Sequence, residues 1–166
     1  MLEWLDSLSL AVWLRESPSI WGSATVLTLH TMGLAVLVGA CGVLDLRLLG
    51  VSRRIPLSEF RWVFTAVAVG LAVNITTGVL LFIKNPTTWG TSLPFLIKMS
   101  FVIASVATLI PIRRYVLSDA GQGAVSGLPA EAQGAKVGHI RLLAIVSILA
   151  WSAAVTAGRL LAYLQP

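Results

Sequence analysis

The chain has 166 residues, of which 57% are apolar and 11% charged, and its mean hydropathy is +0.88. A soluble globular domain carries about 25% charged residues, so too few polar side chains are present to coat a water-soluble enzyme domain. Disorder is excluded by the amount of apolar surface. The net charge of +5 does not point to nucleic acid, because the basic residues flank apolar runs instead of mixing with aromatics in a dense patch. What remains is one domain's length of chain whose solvent is lipid.

Residues 1–17 start acidic (Glu3, Asp6) and have no small-residue cleavage site, so they do not read as a signal peptide. At helical period Trp4, Leu5, Leu8 and Val12 share a face opposite Glu3, Asp6 and Ser7. This predicts a short amphipathic interfacial helix with Trp4 and Trp13 at headgroup depth. Ser17-Pro18 then marks a helix restart, serine as N-cap and proline as first helical residue.

Four apolar runs follow within 18–166, at about 20–44, 62–83, 93–112 and 140–164. Each holds roughly 20 residues, enough at ~1.5 Å per residue to cross ~30 Å of hydrocarbon. Unpaired backbone groups are not tolerated in lipid, so the runs are predicted to be helices. The fold class is therefore all-α: an integral membrane four-helix bundle. The connection 45–61 is short and basic, 84–92 is a tight Asn-Pro turn with Trp89 as an interface anchor, and 113–139 is Gly- and Ala-rich and reads as a flexible, solvated loop.

Eight basic residues (Arg47, Arg53, Arg54, Arg61, Arg113, Arg114, Lys136, Arg141) lie on one side of these spans and two (Arg15, Lys84) on the other. The positive-inside rule then places both termini and the 84–92 turn outside, in the periplasm for a bacterial inner membrane. Small and polar residues recur every four positions in all four runs: Thr31, Ala35 and Gly39; Ala66, Gly70, Asn74 and Gly78; Ser100, Ala104 and Thr108; Ala150, Ala154, Gly158 and Ala162. Close backbone approach drives helix pairing in lipid, so these stripes are the expected contact faces.

Ionisable residues inside a span are costly and are functional candidates. His30, Asn74, Lys98 and Arg159, with Tyr163 a turn beyond, all fall in the outer half, and no carboxylate accompanies them in the spans there. Three readings stay open for Lys98 and Arg159: snorkelling to the outer interface, pairing with Glu16 or Asp6, or an outward-opening pocket for an anionic ligand such as haem propionates, a lipid head or a small anion. His30 is either an imidazole hydrogen-bonded to Asn74 or a backbone carbonyl, or a metal or haem ligand. His139, the second histidine, lies roughly 15–20 Å away in depth, which disfavours bis-histidine ligation within one chain. A single His30 ligand, or two across a homodimer axis, survives. One cysteine and two distant histidines disfavour zinc, and Cys41 reads as a small packing residue. Asp45 and Arg47, with Arg113 or Arg141, are expected to latch the inner helix ends, and Gly50 to cap the first helix. The inner half is expected to hold no comparable polar set.

Residues 29–50, LHTMGLAVLVGACGVLDLRLLG, together with FLIK at 95–98 and AGRLLAY at 157–163, resemble a family of small four-span bacterial inner-membrane proteins without an assigned activity. The resemblance implies four spans and a histidine-bearing first helix. A fainter likeness, resting on His30 in an apolar helix, is to copper-resistance D and cytochrome b561-type membrane proteins. The first functional expectation is a non-enzymatic membrane subunit or binding protein holding a ligand, haem b in one version, between His30, Asn74, Lys98 and Arg159. The alternatives are a transporter component for a metal ion or small anion, and a structural subunit of a homo-oligomer or larger membrane complex. No nucleic-acid partner is expected.

Overall fold

A computed structural model describes residues 4–5, 7–16, 19, 21–118 and 130–164, with side chains of 130–133 and 161–164 left aside. Glu3, Asp6, the Ser17-Pro18 restart and the glycine-rich stretch 119–129 lie outside the described residues. The described chain is all-α. A short helix α1 (Ser9–Glu16) precedes α2 (Ser23–Leu49), a 3-10 turn (Leu57–Phe60), α3 (Val63–Lys84), the one-turn α4 (Pro86–Gly90), α5 (Leu93–Leu117) and α6 (Ala130–Leu164). Four of these helices, α2, α3, α5 and α6, are long and apolar enough to cross a membrane. The protein is a multi-pass membrane protein built as a four-helix bundle.

The helix ends follow from local chemistry. Gly50 closes α2 in the left-handed conformation at φ 112°. Its N–H bonds the Arg47 carbonyl at 3.2 Å, and the Val51 N–H bonds the Leu46 carbonyl at 3.0 Å. An L side chain is disfavoured at this φ. A methyl group on Gly50 would also lie 2.6 Å from Arg53 Nε. Gly50→Ala is therefore expected to cost about 1–2 kcal/mol, measured as a lower melting temperature in detergent. Pro86 opens α4 and Pro94 sits in the first turn of α5, where the missing N–H is one that would have no helical partner.

Two boundaries differ from the sequence reading. Helix α5 continues through Pro111 to Leu117, and α6 begins by Ala130, so residues 130–139 are helical and not loop. Gly134 and Gly138 are exposed helical positions with no heavy atom within 4 Å of a built Cβ. Helix α1 docks sideways on α3, burying Ala11 and Leu14, while Arg15 Nη1 reaches the Lys84 carbonyl at 3.4 Å. Its most buried positions thus lie around the helix from the expected Trp4–Leu5–Leu8–Val12 face, on which Leu5, Leu8 and Val12 are partly buried and Trp4 is exposed. Leu10 and Trp13, with Trp4 and Trp21, are left exposed, which suits an amphipathic segment at the headgroups.

Helix α2 packs along α3, α5 packs along α6, and the two pairs join through α2 against α6. Lipid offers no hydrophobic drive for this, so contacts of backbone on backbone carry it. At the α2–α3 crossing a methyl group on Gly70 would lie 2.9 Å from the Leu37 backbone nitrogen and 3.1 Å from the Gly33 carbonyl oxygen. Only 17% of the most apolar window of α2 is buried, against 33% for α6, so α6 is the more central helix and most apolar side chains face lipid. The packed core (Leu37, Leu44, Val63, Ile112, Val116 and Trp151 among others) lies chiefly towards the arginine-rich end. At the opposite end α3 and α5 meet through rings, Phe82 and Phe95 with centroids 5.6 Å apart and Trp89 and Phe95 6.3 Å apart.

Candidate functional site

The buried face of α3 carries Gly70, Asn74, Thr77 and Gly78, and this spacing brings it under His30 of α2. The His30 Nδ1 lies 2.9 Å from Thr77 Oγ1. Thr77 donates its hydroxyl to the Val73 carbonyl at 2.7 Å, so its oxygen accepts from Nδ1–H. In the neutral imidazole the Nε2 lone pair is then unprotonated, a tautomer assigned from the network. Asn74 does not touch the ring. Its Nδ2 donates to the His30 backbone carbonyl at 3.0 Å, tying the two helices. Gly78 leaves room for the ring, since a methyl group there would meet His30 Cε1 at 3.3 Å.

Lys98 of α5 comes to the same level. A methyl group on Gly158 of α6 would lie 3.4 Å from Lys98 Cε and 3.7 Å from Nζ, so the lysine stem lies across α6 where its backbone is bare. No acidic side chain pairs with Lys98 among the described residues. The structure thus joins His30 with Asn74, Thr77 and Gly78, and sets Lys98 against Gly158; Thr77, Gly78 and Gly158 are not among the site residues expected from sequence. Arg159, the residue after Gly158 on α6, is exposed. The Tyr163 side chain lies outside the described residues.

The arginine-rich half departs further from expectation. Asp45 is 1% exposed, and neither carboxylate oxygen has a hydrogen-bond partner among the described residues. Its neighbours are Ser147 of α6 and, one turn along its own helix, Cys41, which in turn neighbours Trp151. Ser147 Oγ and Trp151 Nε1 are equally buried and without hydrogen-bond partners. Cys41 and Asp45 are four residues apart on α2, and Ser147 and Trp151 four apart on α6, so two helical stripes face each other. The latch with Arg113 or Arg141 is not formed, because both arginines are exposed while the carboxylate points into the α2–α6 seam. Arg47 serves the loop instead, donating from Nε to the Ile55 carbonyl at 2.9 Å and from Nη2 to the Arg53 carbonyl at 3.1 Å. This half therefore does hold a polar set, extended on α5 by buried Ser105 and Thr108.

His139 lies at the arginine-rich end beside Arg114 and Lys136, far from His30. Among the described residues no three of His, Cys, Asp and Glu come together as metal ligands. What this end of the bundle offers chemically is one imidazole acceptor on α2 and one ammonium donor on α5, away from the main packed core. No family model, curated protein or solved structure matches the chain.

Proposed function

We propose that the protein is a non-catalytic membrane subunit or binding protein that holds an anionic ligand between His30 on α2 and Lys98 on α5. One observation carries the reading: a lysine inside a span lies across the bare backbone of Gly158, with no acidic partner among the described residues. A cation in low dielectric requires a counter-charge, and a bound anion supplies it. The ligand class is a carboxylate-bearing or small inorganic anion. In a haem b version His30 would hold the iron through Nε2, since Nδ1 is engaged by Thr77 as second-sphere partners engage metal-binding imidazoles. Its propionates would lie towards Lys98 and the exposed Arg159. The basic residues concentrated at the other end support an inner-membrane orientation with both chain ends periplasmic, and the motif 29–50 supports kinship with small four-span inner-membrane proteins.

The test is a haem titration of purified protein followed by oxidised and reduced visible spectra. A Soret band is expected for wild type and is lost in His30→Ala. Lys98→Met is expected to keep the band but weaken binding about tenfold, the size of one lost charge-assisted hydrogen bond. Absence of any haem band removes the haem version. Equal affinity of wild type and Lys98→Met for every anion tried removes the anion site.

A second reading is favoured by the Asp45–Ser147 seam. His30 and Asp45 lie on the same buried face of α2, roughly 22 Å apart at helical rise, so polar groups stand in both halves of the bundle. A transport component for a metal ion or small anion needs such groups. Uptake into proteoliposomes that survives in wild type but is lost in both Asp45→Asn and Lys98→Met supports this reading over simple binding.

A further inference from the structure

Two adjoining cavities open at the arginine-rich end, away from His30. The first, of about 260 Å³, has Arg47, Arg53 and Arg141 in its wall. The second, of about 430 Å³, has Arg114, Lys136 and His139. Tyr115 and Ile140 line both, and among the described residues no acidic side chain lines either. The cations are held by groups that do not neutralise them. Arg47 is fixed by two backbone carbonyls. Arg53 is folded over the bare backbone of Gly50. Lys136 Nζ stands 6.0 Å from the centroid of the Tyr115 ring. Leu48, Leu57, Val137 and Ile140 supply apolar lining to the first cavity, at the level where α2 leaves its apolar run. A concave site lined by guanidinium groups and aliphatic side chains together matches an amphiphile whose head bears a phosphate.

We propose that this end of the bundle binds the phosphate group of an acidic phospholipid, between Arg53 and Arg141, with Arg47 adding charge from the side. Guanidinium pairs phosphate through paired N–H donors, and a basic recess between spans at the membrane surface is the setting in which lipid phosphates are recognised. The acyl chains would run along the exposed apolar flank of the helices. The site is independent of the His30 ligand.

The experiment uses the full chain in nanodiscs of phosphatidylcholine doped with phosphatidylglycerol, followed by mass spectrometry of the lipid retained on the protein. Wild type is expected to retain phosphatidylglycerol over phosphatidylcholine by about tenfold. The double variant Arg53→Gln/Arg141→Gln is expected to lose that preference. Arg54→Gln/Arg61→Gln removes two exposed charges that line neither cavity and is expected to keep it. Should the first double variant fail to fold, Arg141→Gln alone, at an exposed position, must still lower retention. No preference in wild type, or an equal loss in the control variant, overturns the site. Displacement of phosphatidylglycerol by inorganic phosphate at matched concentration overturns the lipid assignment in favour of a soluble phosphate compound.

Discussion

Gly70→Leu is expected to destabilise the bundle by about 3 kcal/mol, at the upper end of what over-packing costs. The reason is the identity of the atoms that a side chain would meet. A Cβ at this position lies 2.9 Å from the backbone nitrogen of Leu37 and 3.1 Å from the carbonyl oxygen of Gly33. Neither can swing aside as a side chain can, so α2 and α3 must separate along their length. That separation also pulls Asn74 from the His30 carbonyl and Thr77 from the imidazole, so ligand binding at His30 should fall with stability. Gly39→Leu is the control. It introduces the same side chain into α2 where no heavy atom lies within 4 Å, and it should change stability by less than about 0.5 kcal/mol. Unfolding titrations in mixed detergent micelles measure both. Equal effects of the two substitutions would show that the α2–α3 crossing is not the close contact described.

Asp45→Asn is expected to stabilise the protein, by on the order of 1–3 kcal/mol. A buried carboxylate with no cation beside it and only the Ser147 hydroxyl nearby is among the most costly groups a bundle can hold. The amide is nearly the same shape, carries no charge, and brings N–H donors that suit Ser147 Oγ. The sign of the effect decides between two arrangements. Had Asp45 latched Arg113 or Arg141, neutralising it would cost about 3–5 kcal/mol by stranding a cation. The structure places it in the seam with Ser147 and Trp151 instead, where loss of the charge leaves nothing stranded. A stability gain accompanied by loss of transport would mark Asp45 as a residue kept for activity at the expense of stability.

The stripes of small residues illustrate how far a membrane sequence can be read. The stripes in α3 and α6 are contact faces: Gly70, Asn74 and Gly78 meet α2, and Ala150 and Ala154 are buried. The stripe in α2 is not. Thr31, Ala35 and Gly39 are exposed, and the packed face is Gly33, Leu37, Cys41 and Asp45. In α5 Ser100 and Ala104 are exposed while Ser105, Thr108 and Ile112 are buried. In water, polar side chains mark the outer face of a helix. In lipid the outer face is as apolar as the inner one, so periodicity loses its contrast and small residues fall on either side.

The number of spans, their type and the Gly50 cap were legible from residues alone. Each is dictated locally, by the length of an apolar run, by the need of every backbone group for a partner in lipid, and by the conformational freedom of one glycine. The meeting of His30 with Thr77, the seat of Lys98 on Gly158, the Asp45–Ser147 seam and the arginine-walled cavities were settled only by packing. They join residues from two or three helices, and which of them meet depends on the rotation of each helix about its axis. Where both faces of a helix are greasy, that rotation is selected by backbone fit between neighbours, as at Gly33 and Gly70, and no single stretch of sequence encodes it.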